Sequence, residues 1–392
     1  MRILAIAGGR TKTKGGLGLI GLPYIWRSVA DRGHFVDIAL AGTKEKGWER
    51  WECDKLQFME FPAVSKWSLS WKLYKYLKSY INNYDIVCLH SIYCFPVWIG
   101  SMHSIKCKKP YIVWPHGALA SFQRRVSFIK KSVYHKIIIN RVMRHASAIV
   151  FSNPVEYMES CMRGQMNRIC SISEGIDISE FSVLPDRGSF RRHWGISDEK
   201  KVILFLARIN LKKGLELLLS AMDLAFSEMP GSVLVIAGPG DPVAYENKIK
   251  NQVLQCSWSD RIIFTGRLDG VQKLQAYRDA DVFVLPSLTE NFGFSIFEAM
   301  AAGLPVVISK NLSNAQIIEK SGAGLTPSRT PEAFAAAMIK LLTDSKLGQS
   351  MGEAGRKLVK SYSWEVYGEK LEHLLLSLQK RNIIPSDLAI HE

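Results

Sequence analysis

DVFVLPSLTENFGFSIFEAMAAGLPVVISK, residues 281–310, reads as one strand–loop–helix–strand unit. Two short runs of Val, Ile, Leu and Phe, edged by Pro, are the strands, and Phe297 to Ala302 between them supplies strong helix formers. A strand returned to its sheet through a helix lies parallel to the strand it left. Asn291, Phe292 and Gly293 fall at or before the helix start, where free backbone N–H groups take anions or sugar hydroxyls. Glu290 and Glu298, with seven residues between them, are acceptors suited to the paired hydroxyls of a sugar or ribose. Two glutamates there also complement the helix dipole, and the pair by itself does not choose between these roles.

The same rhythm extends in both directions. KVILFLARI, SVLVIAGPG and RIIFTGRL are further strands of the second half, separated by helical patterns at 215–229, 274–279 and 332–342. Earlier, RILAIAG, HFVDIALAG, DIVCLHS, PYIVWPHG and ASAIVFSN alternate with helical stretches, the first over residues 20–31. The expected fold is α/β, with two Rossmann-like doubly wound domains: 1–184, onto which the C-terminal helix 365–392 packs back, and 185–364. Their join is placed in the polar stretch LPDRGSFRRHWGISD, residues 184–198. Ligands of such sheets sit outside the carboxyl ends of the strands, so two facing domains make a deep cleft.

Charge separates the halves. Residues 1–185 hold 26 Lys/Arg and 13 Asp/Glu, net +13, and the remainder holds 25 and 23, net +2. Between Phe61 and Val155 a single acid, Asp85, faces fourteen basic residues. Such a field attracts anionic lipid, nucleic acid or a phosphorylated acceptor, or else is a solvated lysine face. No nucleic-acid-binding module is present, which argues against that partner. The seven cysteines form no C-x-x-C pair, so neither zinc nor a disulfide framework is expected, and a reducing compartment fits. Residues 86–105 are uncharged for twenty positions. The run opens as a strand and contains His90, Pro96 and His103, which reads as strand then helix, not a membrane span.

Arg208 and Lys213, after the first strand of the second half, are placed to neutralise a diphosphate. Gly238 ends the next strand, and Arg267 and Leu268 follow the one after it. Gly16, in KGGLG after the first strand, marks close backbone approach to a ligand, at a spacing unlike a dinucleotide fingerprint. His116 ends a strand beside Gly117, and His90 is a weaker candidate of the same kind.

These segments together resemble the family 4, or group 1, glycosyltransferases, retaining enzymes of the GT-B fold. The likeness rests on the E-x7-E spacing of Glu290 and Glu298 within "FGF…EAMAAGLPVV", and on FLARINLKKG, which has Ala207 where the family has Gly. SEGIDISEF is similar to the family's N-G-I-D hinge, with Glu174 in place of Asn. The resemblance implies that Glu290 meets the donor sugar and Glu298 the nucleotide ribose. It likewise implies that Arg208 and Lys213 hold the diphosphate, that His116 contacts the sugar, that Gly16 touches phosphate and acceptor, and that Gly238, Arg267 and Leu268 line the nucleotide.

The expectation is a cytoplasmic hexosyltransferase that carries sugar from a nucleotide diphosphate sugar to a lipid-linked or saccharide acceptor in polysaccharide or lipopolysaccharide synthesis. No metal or further cofactor is expected. KWSLSWKLYKYLKSY, residues 66–80, has the composition of an interfacial helix docking on the inner leaflet, or equally of a core-facing aromatic stripe with a lysine face. An epimerase, or a nucleotide-sugar-binding protein without turnover, is the alternative.

Overall fold

The computed structural model describes residues 1–8, 21–45, 47–65, 67–119, 134–160, 164 and 168–390. The chain divides into two compact units, Met1–Gly175 with Trp364–Glu392, and Ile176–Ser363. The polar stretch 184–198, where the sequence reading put the join, lies inside the second unit.

The first unit is built on seven strands, β1 (Arg2–Gly8), β2 (Phe35–Ala41), β3 (Leu56–Phe61), β4 (Ile86–His90), β5 (Tyr111–Trp114), β6 (Ala148–Phe151) and β7 (Ile169–Ser171). Their order is β3-β2-β1-β4-β5-β6-β7, with every pairing parallel. Its helices include α1 (Leu22–Ala30), α2 (Trp71–Tyr80), α3 (Phe95–Lys106), α4 (Asn140–His145) and α5 (Pro154–Met158). Successive side chains of a strand point to opposite faces, so the apolar runs feed two cores at once. Leu4, Ile6, Val87, Leu89 and Val113 join one core, and Ile3, Ala5, Ile86, Cys88 and Ile112 the other.

The C-terminal helix Trp364–Arg381 closes the second of these cores through Tyr367, Leu371, Leu374 and Leu378, beside Trp26 and Val29 of α1. Gly368 permits that approach, since a Cβ there would meet Ser28 at 2.9 Å. His34 and Arg32 fasten the same contact through Glu372 and Glu369, at 2.7 and 3.0 Å.

In the second unit the order is β10-β9-β8-β11-β12-β13, again parallel throughout. The strands are β8 (Lys201–Leu206), β9 (Ser232–Ala237), β10 (Ile262–Gly266), β11 (Val282–Leu285), β12 (Val306–Ile308) and β13 (Gly324–Leu325). Around them lie α6 (Ser189–Trp194), α7 (Leu215–Glu228), α8 (Val243–Leu254), α9 (Gly270–Asp279), α10 (Phe294–Ala302), α11 (Ala315–Lys320), α12 (Pro331–Thr343) and α13 (Ser345–Leu358). The fold is thus GT-B-like α/β, two doubly wound parallel sheets of seven and six strands. In both sheets the chain starts centrally, winds to one edge and then crosses to the other side of its first strand. The crevice favoured for ligands opens where that direction reverses, between β1 and β4 and between β8 and β11.

Three features depart from or sharpen the sequence reading. Of the two readings of the aromatic stretch up to Tyr80, the core-facing stripe fits most of the aromatics. Trp67 stacks on Trp98 at 5.7 Å, Tyr76 bonds the Tyr84 hydroxyl at 2.6 Å, and Leu73 and Leu77 are buried, so among the described residues Trp71 and Tyr80 are the aromatics of this stretch left largely in water. Residues 86–105 form β4 and most of α3, and no helix of the described residues is long and apolar enough to cross a membrane. Strands β3, β7 and β13 were not read from the sequence: β3 and β13 are sheet edges, β7 has only three residues, and β13 only two.

Candidate functional site

In the second unit the site forms where the loops leaving β8 and β11 cross. Asn210 caps a short turn, its side chain accepting from Lys212 N, and the turn ends at Gly214 with φ 72°. A Cβ at Gly214 would sit 2.1 Å from the Pro286 carbonyl, so only glycine lets the two loops touch. Leu288 N then donates to Lys212 O at 2.7 Å. That crossing brings Lys213 Nζ to Glu290 Oε1 at 2.6 Å, with side chains 16% and 9% exposed. Ser287 Oγ donates to the same oxygen, also at 2.6 Å. Both bonds fall on Oε1, and Oε2 is left to accept from a ligand hydroxyl.

The loop from Glu290 to Gly293 is held from a third side. Asn311 Nδ2 donates to Leu288 O at 2.6 Å, and Asn314 Nδ2 to Phe292 O at 2.8 Å. Phe292 is buried and stacks on Phe297, ring centroids 4.3 Å apart. Gly293 is the N-cap of α10 at φ 81°; Ile296 N bonds back to Gly293 O at 2.8 Å, and the Phe294 and Ser295 N–H groups have no acceptor within the helix. Farther along α10, Glu298 accepts from Lys273 at 2.8 Å on one oxygen and from the Tyr277 hydroxyl at 2.8 Å on the other. Burial works against the Lys273 charge, but Glu298 and Glu180 outweigh it and raise its pKa. Burial and then Glu298 push the Tyr277 hydroxyl well above its ordinary value, which keeps it a donor.

Arg208 stands at the end of β8 and pairs with Asp241 at 2.5 Å, both side chains more than half exposed. An exposed pair of this kind is worth about 1 kcal/mol or less, so Arg208 is cheaply exchanged onto an incoming anion. Gly238 follows β9 at φ 140°, where a Cβ would lie 1.9 Å from the Ala207 carbonyl. The methyl of Ala207 does not break this contact: its own N–H still bonds Ala237 O at 3.0 Å. Arg267 pairs with Asp269 at 2.7 Å in the open, and Leu268 is buried.

The structure therefore joins Lys213 to Glu290 directly, sets Asn291, Phe292 and Gly293 beside them, and puts Glu298 on the helix that follows. Arg208 and Gly238 lie at the neighbouring strand ends. Lys273 and Tyr277 were missed in the sequence, although their four-residue spacing on α9 signals two side chains on one helix face.

In the first unit, Gly16 lies outside the described residues. His116 follows β5 with φ 50°, and Gly117 follows it at 74°. A non-glycine residue held in that region costs on the order of 1 kcal/mol, and Glu156 holds the turn in place. The carboxyl of Glu156, a buried residue of α5, accepts from Gly117 N at 2.6 Å and Ser152 N at 2.8 Å. Burial nevertheless raises its pKa against those two bonds. Its sequence signal was Asn153 as N-cap with an acid three residues on. His90, fully buried, bonds His116 Nε2 through Nδ1 at 3.0 Å, and Glu174 Oε1 lies 3.8 Å from His116 Nδ1. Burial, then the neighbouring His116, hold the His90 pKa well below its ordinary value.

Residues 186–358 match the family described as glycosyl transferases group 1. An uncharacterized glycosyltransferase of Methanocaldococcus jannaschii is 28% identical over 303 residues, 73% of each chain. A D-inositol 3-phosphate glycosyltransferase of Corynebacterium glutamicum is 26% identical over 302 residues, 74% of this chain and 72% of its own. Among solved structures, HepE of Anabaena, in complex with UDP-glucose, superposes with a TM-score of 0.77 at 18% identity, over 96% of this chain and all of its own.

Proposed function

We propose that this chain, whose residues 186–358 match the glycosyl transferases of group 1, takes a hexose from a nucleotide diphosphate sugar and passes it, with retention, to a membrane-associated acceptor in polysaccharide or lipopolysaccharide synthesis. The observation that carries the donor half is the 2.6 Å pair of Lys213 and Glu290, set at the reversal of a doubly wound sheet beside the start of α10. A diphosphate is met there by Lys213, by Arg208 released from Asp241 and by backbone amides at the start of α10. Paired hydroxyls are met by Glu290 and Glu298. The complex of HepE with UDP-glucose supports a nucleotide sugar as the ligand.

In this reading the bond from the anomeric carbon to the phosphate oxygen breaks while Arg208 and Lys213 take up the growing charge of the leaving diphosphate. The acceptor hydroxyl forms its new bond on the face just vacated, and its proton passes to a phosphate oxygen. The amides of 291–293 orient the sugar; for His116, in the first unit, the family resemblance implies a contact with a sugar. Gly238, Arg267 and Leu268 line the rest of the nucleotide sugar. No metal enters the proposal, since two side-chain cations serve the diphosphate. The acceptor half rests on the basic balance of residues 1–185, net +13, which suits an anionic surface or a phosphorylated acceptor. Localisation on the inner face of the cell membrane belongs to the same proposal.

A thermal-shift screen over UDP-, GDP-, ADP- and CMP-linked sugars tests the donor. A ligand at 100 times its Kd adds about 2.7 kcal/mol to the native state and raises Tm accordingly. Mass analysis of the responding sugar, with and without acceptor extract, then separates transfer from epimerisation. No response to any nucleotide sugar, or conversion of the donor with no acceptor present, defeats the reading.

A further inference from the structure

Four side chains of the first unit form one line: Trp26 on α1, His90 at the end of β4, His116 after β5 and Glu174 beyond β7. The Trp26 indole N–H meets His90 Nε2 at 3.0 Å in the buried core. An indole nitrogen can only donate, so His90 Nε2 must be bare and its one proton must sit on Nδ1. That proton points at His116 Nε2, 3.0 Å away, which must then be bare as well. His116 is left with its proton on Nδ1, facing Glu174 Oε1 at 3.8 Å. The rings are nearly parallel: His90 is tilted 17° from Trp114, centroids 5.0 Å apart, and 20° from His116, centroids 5.3 Å apart. Burial of His90 agrees with a neutral ring.

The gap between His116 and Glu174 exceeds a hydrogen bond, yet an oxygen lying to one side of the line between them is within reach of both. Its partners there are an N–H donor and a carboxylate acceptor. A hydroxyl satisfies both, accepting from one and donating to the other. A phosphate oxygen satisfies only the first and meets the negative charge of Glu174, with the Glu156 carboxyl also close by beneath Gly117.

We propose that Trp26 and Glu174 are positioning residues for His116. Trp26, acting through His90, fixes His116 as an Nδ1–H donor, and Glu174 completes a corner that selects a sugar hydroxyl over phosphate. His116 so held is not a general base, since its bare nitrogen is taken by His90. This rests on the reading that His116 meets a sugar. It adds a reason for Glu174 where the resembling family has Asn: a carboxylate takes the hydroxyl proton as an acceptor only, whereas an amide can also donate.

Long-range 1H–15N correlation spectra of the histidine-labelled full chain, without nucleotide, read which nitrogen of each ring carries hydrogen, with His116→Gln to assign the signals. The expected result is a protonated Nδ1 and a bare Nε2 on both His90 and His116. Trp26→Phe with Glu174→Gln removes both constraints and is expected to give a mixture of His116 tautomers. A proton on Nε2 of His116 in the wild-type chain, or an unchanged tautomer in the double variant, overturns the proposal. Glu174→Gln alone, whose fold is checked by its melting curve, serves if the Trp26 variant does not fold. Its His116 Nδ1 signal must then move, and an unmoved signal counts against Glu174. Titrations with UDP-glucose and UDP read the second half. Glu174→Ala is expected to weaken UDP-glucose on the order of ten-fold and leave UDP unchanged, and equal loss of both overturns the hydroxyl assignment. If neither probe binds the wild-type chain, that result bears on the donor reading, and the tautomer measurement decides this proposal.

Discussion

Removing the two ends of the Lys213–Glu290 pair should move diphosphate affinity in opposite directions. The two side chains are 2.6 Å apart and mostly shielded from water, at 16% and 9% exposure. Lys213→Met deletes the cation that faces the leaving group and strands Glu290 with Ser287 as its remaining partner. Loss of such a contact to a phosphate costs about 3 kcal/mol, or roughly two orders of magnitude in affinity. The stranded carboxylate lowers global stability by about 2 kcal/mol, below the range for fully buried pairs because Ser287 and some water still reach it. Glu290→Gln keeps the shape and removes a negative charge from the diphosphate's surroundings. With the carboxylate about 5 Å from a phosphate oxygen and an effective dielectric near 20, the relieved repulsion is at most about 3 kcal/mol. Partial exposure reduces it to about 1 kcal/mol, a roughly five-fold gain in nucleoside diphosphate affinity. Transfer should fall by about two orders of magnitude in the same variant, because the group that orients the sugar has lost its charge. Calorimetric titration with the free nucleoside diphosphate found in the screen measures both affinities. Equal weakening by the two substitutions, or no change in either, would show that this pair does not border a pyrophosphate.

Glu290→Ala should abolish sugar transfer while the variant still binds the nucleotide sugar in the melting assay; loss of both together would assign Glu290 to folding. His90 carries a pH dependence: its pKa is depressed below 6.5 by burial and His116. The unfolded chain therefore takes up its proton first, and the stability present above pH 6.5 is lost as pH falls toward the folded value. The slope is up to about 1.4 kcal/mol per pH unit, and His90→Gln should flatten that part of the urea-midpoint profile between pH 7.5 and 5. Asp279, fully buried, accepts from the backbone N–H groups of Gly188, Phe190 and Arg191 at 2.6 to 3.1 Å. Asp279→Ala leaves three buried donors unmet and should cost about 3 to 5 kcal/mol, read as a lower urea midpoint at constant slope. For the acceptor side, flotation with anionic and neutral vesicles should recover the protein with the anionic ones only, and equal recovery would remove the membrane-docking reading.

Much of the architecture was legible in the chain because a strand buried on both faces must be apolar at nearly every position. KVILFLARI and DIVCLHS show that run, with Gly or Pro marking the turns between such strands. The start of α10 was legible for the same local reason, since Gly293 and the helix formers after it specify a boundary within one turn. The paired acids and the lysine 77 residues before Glu290 could be singled out by type and by position at strand ends. Their contact could not, because it depends on Gly214 letting one loop lie against another from a neighbouring strand.

Composition and periodicity thus determined the two parallel sheets, the apolar cores and the short list of polar residues at strand ends. Tertiary structure alone decided which partners those residues keep. Trp26 and His90 are 64 positions apart, Gly188 and Asp279 91 apart, and Arg208 and Asp241 33 apart. Hydrogen bonds and ion pairs act over about 3 Å, whereas the sequence orders residues only along the chain. The winding of each sheet sets the distances between strand ends, and with them the proton on His116 and the charge beside Glu290.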